Sequence, residues 1–428
     1  MCYAIPGKIT GLKNKIAIVD YFGEKRRVLN EFENVRKGDY VYAQGGIIVY
    51  KIPKKEAIEI LKLWKDRFFE LKQIDKNLSQ LDGEIKVRNN ILEILQKVNL
   101  QKELSKRELL DLLELKDQAS LKLLYQTANN IRQKEHGNAC CVHGIIEFSN
   151  YCRNNCLYCG IRNDRLIDRY RMREEEIIRI AKYAVRKLRF KALVLQSGED
   201  YWYDEKKLIK IVREIRKLNV LIFLSIGIRS ESLYSKLYRA GAKAILLRFE
   251  TSNKKIFSKL RPKTSFEERV SLIRSLKKMG YIIATGFLIG LPGEKNNDII
   301  NNILLTKKLN ADMYSFGPFI PTKGTPLENL APVSQDVVLK TIAISRITDR
   351  KSKILVTSAL ETLGKEARKN GLLSGANSLM INLTPSYYKK LYELYPGRPD
   401  RDKNLLENIK ETIELLFSLG RAPIDLGI

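Results

Sequence analysis

Cys152, Cys156 and Cys159 stand in the tract Ser149-Asn-Tyr-Cys-Arg-Asn-Asn-Cys-Leu-Tyr-Cys-Gly160, directly after an apolar run from Val142 to Phe148. Three thiolates spaced C-x3-C-x2-C hold three corners of a 4Fe–4S cube, whereas a closed site takes four. The fourth iron is then open to a small ligand. The other chemistry such thiols support is a structural zinc loop, which needs a fourth Cys or His nearby. His143 is the one nearby candidate, and it lies inside the apolar run. The open cluster is therefore the favoured reading.

A loop of this kind needs a scaffold, and the pattern beyond the helical stretch 87–134 supplies one. Eight strands are expected at 142–148, 192–196, 220–225, 244–249, 282–287, 312–316, 354–357 and 378–381, with amphipathic helices between them, as at 173–188, 204–218, 265–279 and 334–350. Eight β-then-α units predict an α/β fold of the (βα)8, TIM-barrel type rather than an open sheet. The unusual residues fall at strand ends: the cysteine loop after the first strand, Gln196-Ser197-Gly198-Glu199-Asp200 after the second and Ser225-Ile-Gly227 after the third. Arg248-Phe-Glu250-Thr251, Gly290-Leu-Pro-Gly293-Glu294, Gly317-Pro318, Thr357-Ser358 and Met380-Ile-Asn382 follow the rest. In a parallel barrel these ends share one mouth, where catalytic groups collect. Arg248 and Glu250, two apart on a strand, face the same way and are expected to point inward.

The cysteine spacing, with Tyr158 before the last cysteine, resembles the radical S-adenosylmethionine (SAM) enzymes. Residues 87–428 resemble HydE, the FeFe-hydrogenase maturase, through Ile146–Cys152, Arg169-Tyr-Arg-Met172, Val194–Asp200, Leu246–Thr251, Lys259–Phe266, Gly317–Thr322, Thr384–Tyr388, Tyr395-Pro-Gly397 and Leu419–Pro423. Methylornithine synthase and biotin synthase are related. The resemblance implies a 4Fe–4S cluster on Cys152, Cys156 and Cys159 whose open iron chelates SAM, and cleavage of SAM to a 5′-deoxyadenosyl radical. It implies a SAM site built from Glu250 and Arg269, with Tyr158, Gly198 and Glu199 beside them. It further implies an iron complex carrying CO, cyanide and a cysteine as substrate, with Gln196, Ser197, Arg248, Thr357, Ser358, Met380 and Tyr387 around it. Two departures stand out: Ala244 where a substrate-facing Arg is expected in the family, and Ile228 where a Glu is common. No cysteine follows Cys159, so the accessory cluster of some relatives has no ligands. Cys140 and Cys141, in or beside the first strand, are read as inert thiols.

The amino end is built differently. Ile16–Tyr21, Lys25–Leu29, Tyr40–Ala43 and Ile47–Ile52 are short β-rich runs separated by turn residues, which suits a small, OB-like barrel. A helix is expected from Lys54 to about Asp82. Met1-Cys2-Tyr-Ala-Ile-Pro-Gly-Lys8, Ala17-Ile-Val-Asp20, Gly38-Asp-Tyr-Val41 and Glu56–Leu61 resemble HypC, the chaperone of NiFe-hydrogenase maturation, over residues 1–70, with 71–86 as a linker. The resemblance implies that Cys2 carries an Fe(CN)2CO unit on its thiolate, a soft donor suited to low-spin iron. Gln44 stands where HypC proteins usually place a histidine.

Both halves thus resemble handlers of iron bearing CO and cyanide, and other hydrogenase maturation proteins and a low-potential electron donor are the expected partners. A radical SAM enzyme of carbon-skeleton chemistry and a non-catalytic iron–sulfur scaffold are the competing readings. The net charge of +28 is spread along all 428 residues without a basic tail or a nucleic-acid module, so neither nucleic acid nor membrane is expected as a partner. No run of 18 apolar residues occurs and six cysteines make no disulfide framework, so a reducing, cytoplasmic setting is expected.

Overall fold

The computed structural model describes residues 3–31, 34–81 and 87–427; Cys2 lies outside the described residues. Five strands at the amino end close into a barrel in the order β1-β2-β3-β5-β4. They are β1 (Gly7–Lys13), β2 (Ile16–Tyr21), β3 (Glu24–Leu29), β4 (Tyr40–Gln44) and β5 (Ile47–Ile52). Alternation directs them: along β2, Ala17, Val19 and Tyr21 turn inward while the residues between stay wetter. The pattern does not announce β1, whose two glycines and two lysines are poor strand formers. Gly7 is nevertheless required there, because a Cβ would stand 2.2 Å from Val19 Cγ1. Gly45 and Gly46 join β4 to β5 with φ of +61° and +84°, the primed turn whose twist matches a hairpin.

Helix α1 (Lys54–Leu78) follows, burying Ala57, Phe68, Leu71 and Asp75. Residues 71–78 therefore belong to a docked helix and not to a linker. Asp75 explains the docking: it takes a bidentate pair of 2.8 Å hydrogen bonds from Arg132 and lies 2.9 Å from Arg421 Nε. Three helices, α2 (Asn89–Asn99), α3 (Lys106–Leu113) and α4 (Gln118–His136), then lead into the large barrel.

That barrel is the predicted one. β6 (Ala139–Ser149), β7 (Ala192–Ser197), β8 (Leu221–Ser225), β9 (Ala244–Leu246), β10 (Ile282–Thr285), β12 (Met313–Tyr314), β14 (Lys353–Ile354) and β15 (Ser378–Asn382) run parallel in this order. A single bridge between Leu355 and Ser378 closes the ring. Two short strands, β11 (Leu288–Ile289) and β13 (Gly317–Pro318), pair beyond β10 and β12, and β16 (Ala422–Pro423) adds to the start of β6. The later barrel strands are shorter than the apolar runs suggest because their ends peel away to line the mouth.

The small barrel seals the opposite end. Tyr42, Val49 and Ile52 of β4 and β5 and Ala57 of α1 share one apolar cluster with Ile145, Val194, Phe223, Ala244, Ala284 and Met313 of the large barrel. The turn at Gly45 abuts the first residues of β8 and β10, since a Cβ there would lie 2.8 Å from both Leu221 and Ile282. Ala244 is thus a fully buried floor residue beside the small barrel and does not line the mouth cavity. Ile228 is half-buried against the main core and does not line the mouth.

Candidate functional site at the barrel mouth

The cysteine loop has little regular structure, so its backbone polar groups need other partners. Arg169 supplies them: Nη1 donates to the carbonyls of Asn150 (2.6 Å) and Ile161 (2.9 Å), and Nη2 to those of Arg162 (2.5 Å) and Arg165 (3.1 Å). Asp200 is a second anchor. It accepts from Ser149 Oγ at 2.8 Å and from Arg171 Nε and Nη2 at 2.7 and 2.9 Å, while the Arg171 guanidinium lies 3.7 Å over the Tyr151 ring. Gly198 lets the neighbouring loop press in, because a Cβ would fall 2.2 Å from the Tyr151 carbonyl oxygen. These two arginines belong to the Arg-Tyr-Arg-Met tract and hold the loop rather than meet a substrate.

Cys152, Cys156 and Cys159 all face one cavity of about 310 Å³ at the mouth. Burial pushes the Cys159 thiol up, and Cys156 and Cys152 push it further. Burial raises Cys152 as well. Such thiols ionise when a cation takes the proton's place. Among the described residues, the one trio of metal-ligating atoms drawn within 4.8 Å of one another lies elsewhere. Tetrahedral zinc with sulfur bonds of about 2.3 Å would draw its thiolates to roughly 4 Å apart. The wider triplet suits the corners of a multi-iron cube. His143, the possible fourth zinc ligand, sits six residues back along β6 from Ser149, roughly 20 Å away. The donor set therefore fits a cluster held by three cysteines and not a closed zinc loop.

Charge is arranged around this loop in linked pairs. Arg269 Nη2 donates to Glu199 Oε1 at 2.9 Å, and Arg261 lies 3.9 Å from both Glu199 and Glu250. Arg261 Nη1 also donates to the Tyr158 hydroxyl at 2.7 Å, and Arg248 Nη2 stands 3.1 Å from Glu250 Oε2. Glu250 is a non-glycine residue at φ +72°, a strained conformation of the sort that collects at functional sites. Gly227, at the same φ, lies under Glu199, where a Cβ would approach Glu199 Cγ to 1.9 Å. Across the cavity, Arg398 Nη1 stands 2.9 Å from Glu147 Oε1, and Asn382 donates to Glu147 Oε2 at 3.0 Å. Burial raises the Glu147 carboxyl, and Arg398 opposes that.

The structure brings together Tyr158, Gln196, Ser197, Gly198, Glu199, Arg248, Glu250, Arg269, Thr357, Ser358 and Met380 with the three cysteines. Tyr387 does not join them. It is 71% exposed and packs edge-on against Tyr388 outside the cavity, because the short helix Ser386–Leu391 turns it to solvent. Thr357 precedes the helix Ser358–Glu361 without capping it, and its buried hydroxyl has no partner among the described residues. Ser358 Oγ shares a 2.6 Å hydrogen bond with Tyr395. The residue-type reading passed over Arg261, Glu147 and Arg398. Arg261 and Arg398 each sit beside a proline in a mouth loop, and that signal was available.

Comparison with known proteins agrees with this geometry. The Radical SAM superfamily matches residues 146–305, the Biotin and Thiamin Synthesis associated domain residues 315–411, and the HupF/HypC family residues 1–64. The [FeFe] hydrogenase maturase subunit HydE of Thermotoga maritima is 41% identical over 77% of this chain and 95% of its own length. The 3-methylornithine synthase of Methanosarcina acetivorans is 32% identical over 75% and 91%. The crystal structure of methylornithine synthase superposes with a TM-score of 0.68 at 28% identity, over 77% of this chain and 97% of that one. HydG of Carboxydothermus hydrogenoformans, at 21% identity and a TM-score of 0.66 over 86% and 84%, shares the fold. No helix among the described residues is long and apolar enough to cross a membrane. A three-cysteine loop at the mouth of a parallel barrel, and a relative matched almost end to end, lead to one conclusion: the chain belongs to the HydE family of radical SAM hydrogenase maturases, with a HypC-family domain at its amino end.

Proposed function

We propose that this maturase acts on a cysteine-ligated iron complex bearing CO and cyanide, bound in the mouth cavity, and that its HypC-like domain tethers or delivers the iron unit through Cys2. When bound on Cys152, Cys156 and Cys159, a 4Fe–4S cluster supplies one electron from a low-potential donor to cleave SAM to a 5′-deoxyadenosyl radical. Glu199, Glu250, Arg261 and Arg269 form the SAM-binding wall: carboxylates suit its ammonium and ribose, and guanidinium its carboxylate. Arg248, Gln196, Ser197, Thr357, Ser358 and Met380 line the substrate side.

One observation carries the substrate reading. Away from the SAM-binding wall, the buried Thr357 Oγ1 and Arg398 Nε have no hydrogen-bond partner among the described residues. Buried donors without acceptors are costly, and a cavity ringed by them favours a ligand rich in acceptors. Cyanide nitrogens and a cysteine carboxylate are such acceptors. The test is anaerobic reconstitution with a synthetic iron–cysteine complex, SAM and reductant. Thr357→Val and Arg248→Gln should lower consumption of the complex at least about tenfold while uncoupled formation of 5′-deoxyadenosine continues. A complex that is not consumed by the parent protein rejects the reading.

Carbon-skeleton chemistry on an amino acid is the second reading, favoured by the likeness to methylornithine synthase. Conversion of an amino acid to a rearranged product under the same conditions would favour it. For the tether, Cys2→Ser in the full chain should reduce hydrogenase maturation and leave SAM cleavage intact, and unchanged maturation would reject it.

A further inference from the structure

We infer that Cys141, His143 and Asp425 form a second metal site, at the floor of the large barrel, for a single divalent late first-row ion such as iron(II) or zinc(II). One ligand atom from each of the three lies within 4.8 Å of the other two, and all three side chains are buried. Cys141 and His143 alternate along β6 with Ile145 and Glu147, which line the mouth cavity, so the trio lies on the same inner face but at the other end.

The donor chemistry is specific. A thiol, an imidazole and a carboxylate together match iron(II), cobalt(II) or zinc(II) better than the all-oxygen preference of magnesium or calcium. His143 Nε2 stands 3.1 Å from Asp425 Oδ2, while its Nδ1 is buried with no hydrogen-bond partner among the described residues. Nε2 and Oδ2 already lie close enough that one ion, taking the place of the proton between them, would be bound by both. His143 is 2% exposed, with the Phe223 ring centroid 4.8 Å from its own.

The place is as informative as the donors. Cys141 belongs to the apolar cluster that Tyr3, Ile5 and Ala43 of the small barrel share with Ala139, Ala422 and Ile424 of the large one. Tyr3, the neighbour of Cys2 in sequence, donates to Asn138 Oδ1 at 3.0 Å, just before β6 begins. Gln44, beside the Gly45 turn that abuts the large barrel, is buried with both amide atoms unpaired among the described residues. Three protein donors leave a tetrahedral ion one open position, at a joint shared by the two domains. The inference is independent of the substrate proposed for the mouth, which lies at the far end of the barrel.

Zinc serves as the probe because its absorption edge is distinct from that of cluster iron. The full chain, with its cluster reconstituted anaerobically, is loaded with zinc(II) and desalted. One zinc per chain is expected with the iron content unchanged, and extended X-ray absorption at the zinc edge should show sulfur at about 2.3 Å and nitrogen or oxygen at about 2.0–2.1 Å. Cys141→Ser should remove one sulfur from that shell, and His143→Gln should weaken zinc retention about tenfold or more. Both variants should still cleave SAM, which reports an intact fold. The measurement on the parent protein needs no substitution and stands if a variant fails to fold. No retained zinc, a shell of oxygen and nitrogen alone, a sulfur count unchanged by Cys141→Ser, or zinc gained at the expense of cluster iron would each overturn the site.

Discussion

Single residues decide whether the cysteine loop can hold anything. Arg169 satisfies four carbonyls that lack a regular ladder, and hydrogen bonds from a charged donor contribute about 1.5–3 kcal/mol each. Lysine keeps the charge but not the planar fork. Arg169→Lys should therefore cut the iron retained after reconstitution by more than about half and lower loop stability by about 2–4 kcal/mol, read by iron analysis and thermal melts. Glu294 makes a pH prediction. Burial raises its carboxyl to about 7, with Gly290 N–H donating at 2.6 Å as a counterweight. A folded-state pKa above the unfolded one means that Glu294 stabilises the fold below about 4.5 and that this contribution is lost as pH rises through about 7. Glu294→Gln should thus gain stability over the parent between pH 5 and 8, by up to about 3 kcal/mol, in paired melts. The placement of the three cysteines at one cavity was legible because they follow a strand whose end opens on the barrel mouth. Tyr387 was misplaced because a tyrosine in a loop carries no mark of whether its helix turns it in or out. Arg261 and Arg398 were missed because an arginine beside a proline reads as a turn until its partner carboxylate is seen across the cavity.

At the scale of elements, strand ends position chemistry, and glycines set how closely those ends approach. Gly227 is the sharpest case, with φ +72° and no room for a Cβ against Glu199. Gly227→Ala should displace Glu199 from Arg269, cost about 1–2 kcal/mol for the left-handed alanine, and weaken SAM binding about tenfold or more with the cluster still in place. The readout is the SAM-induced change in the cluster's electron paramagnetic resonance signal; an unchanged affinity would remove Glu199 from the site. Eight barrel strands and four of the five small-barrel strands were legible because apolar runs end in turn residues. β1 was not, since its pairing with β2 and β4 supplies what its glycines lack. The span 71–78 read as a linker because its charged residues hide a narrow buried stripe at Leu71 and Asp75.

At the scale of the whole molecule, the small barrel is a built-in floor rather than a bead on a string. A domain on a flexible linker acts by raising local concentration, and this one is held by Asp75 between Arg132 and Arg421 and by the apolar layer around Ala244. Breaking a buried charge network by removing one partner costs about 3–5 kcal/mol. Asp75→Asn should therefore destabilise both barrels together, and calorimetry of the parent should show one cooperative transition; two separate transitions would make the small barrel an independent module. The docking also constrains delivery. The small barrel meets the N-terminal ends of the strands, whereas the cysteines lie beyond the C-terminal end of β6, whose 11 residues span roughly 36 Å. On the proposed tethering, an iron unit held by the small barrel would reach the mouth either through the barrel, past Ile145 and Met380, or by undocking of the small barrel. These routes separate experimentally. Filling the axis with Ala284→Phe should block a route through the barrel by about tenfold or more without slowing transfer that depends on undocking, and Asp75→Asn should speed the latter and leave the former unimproved.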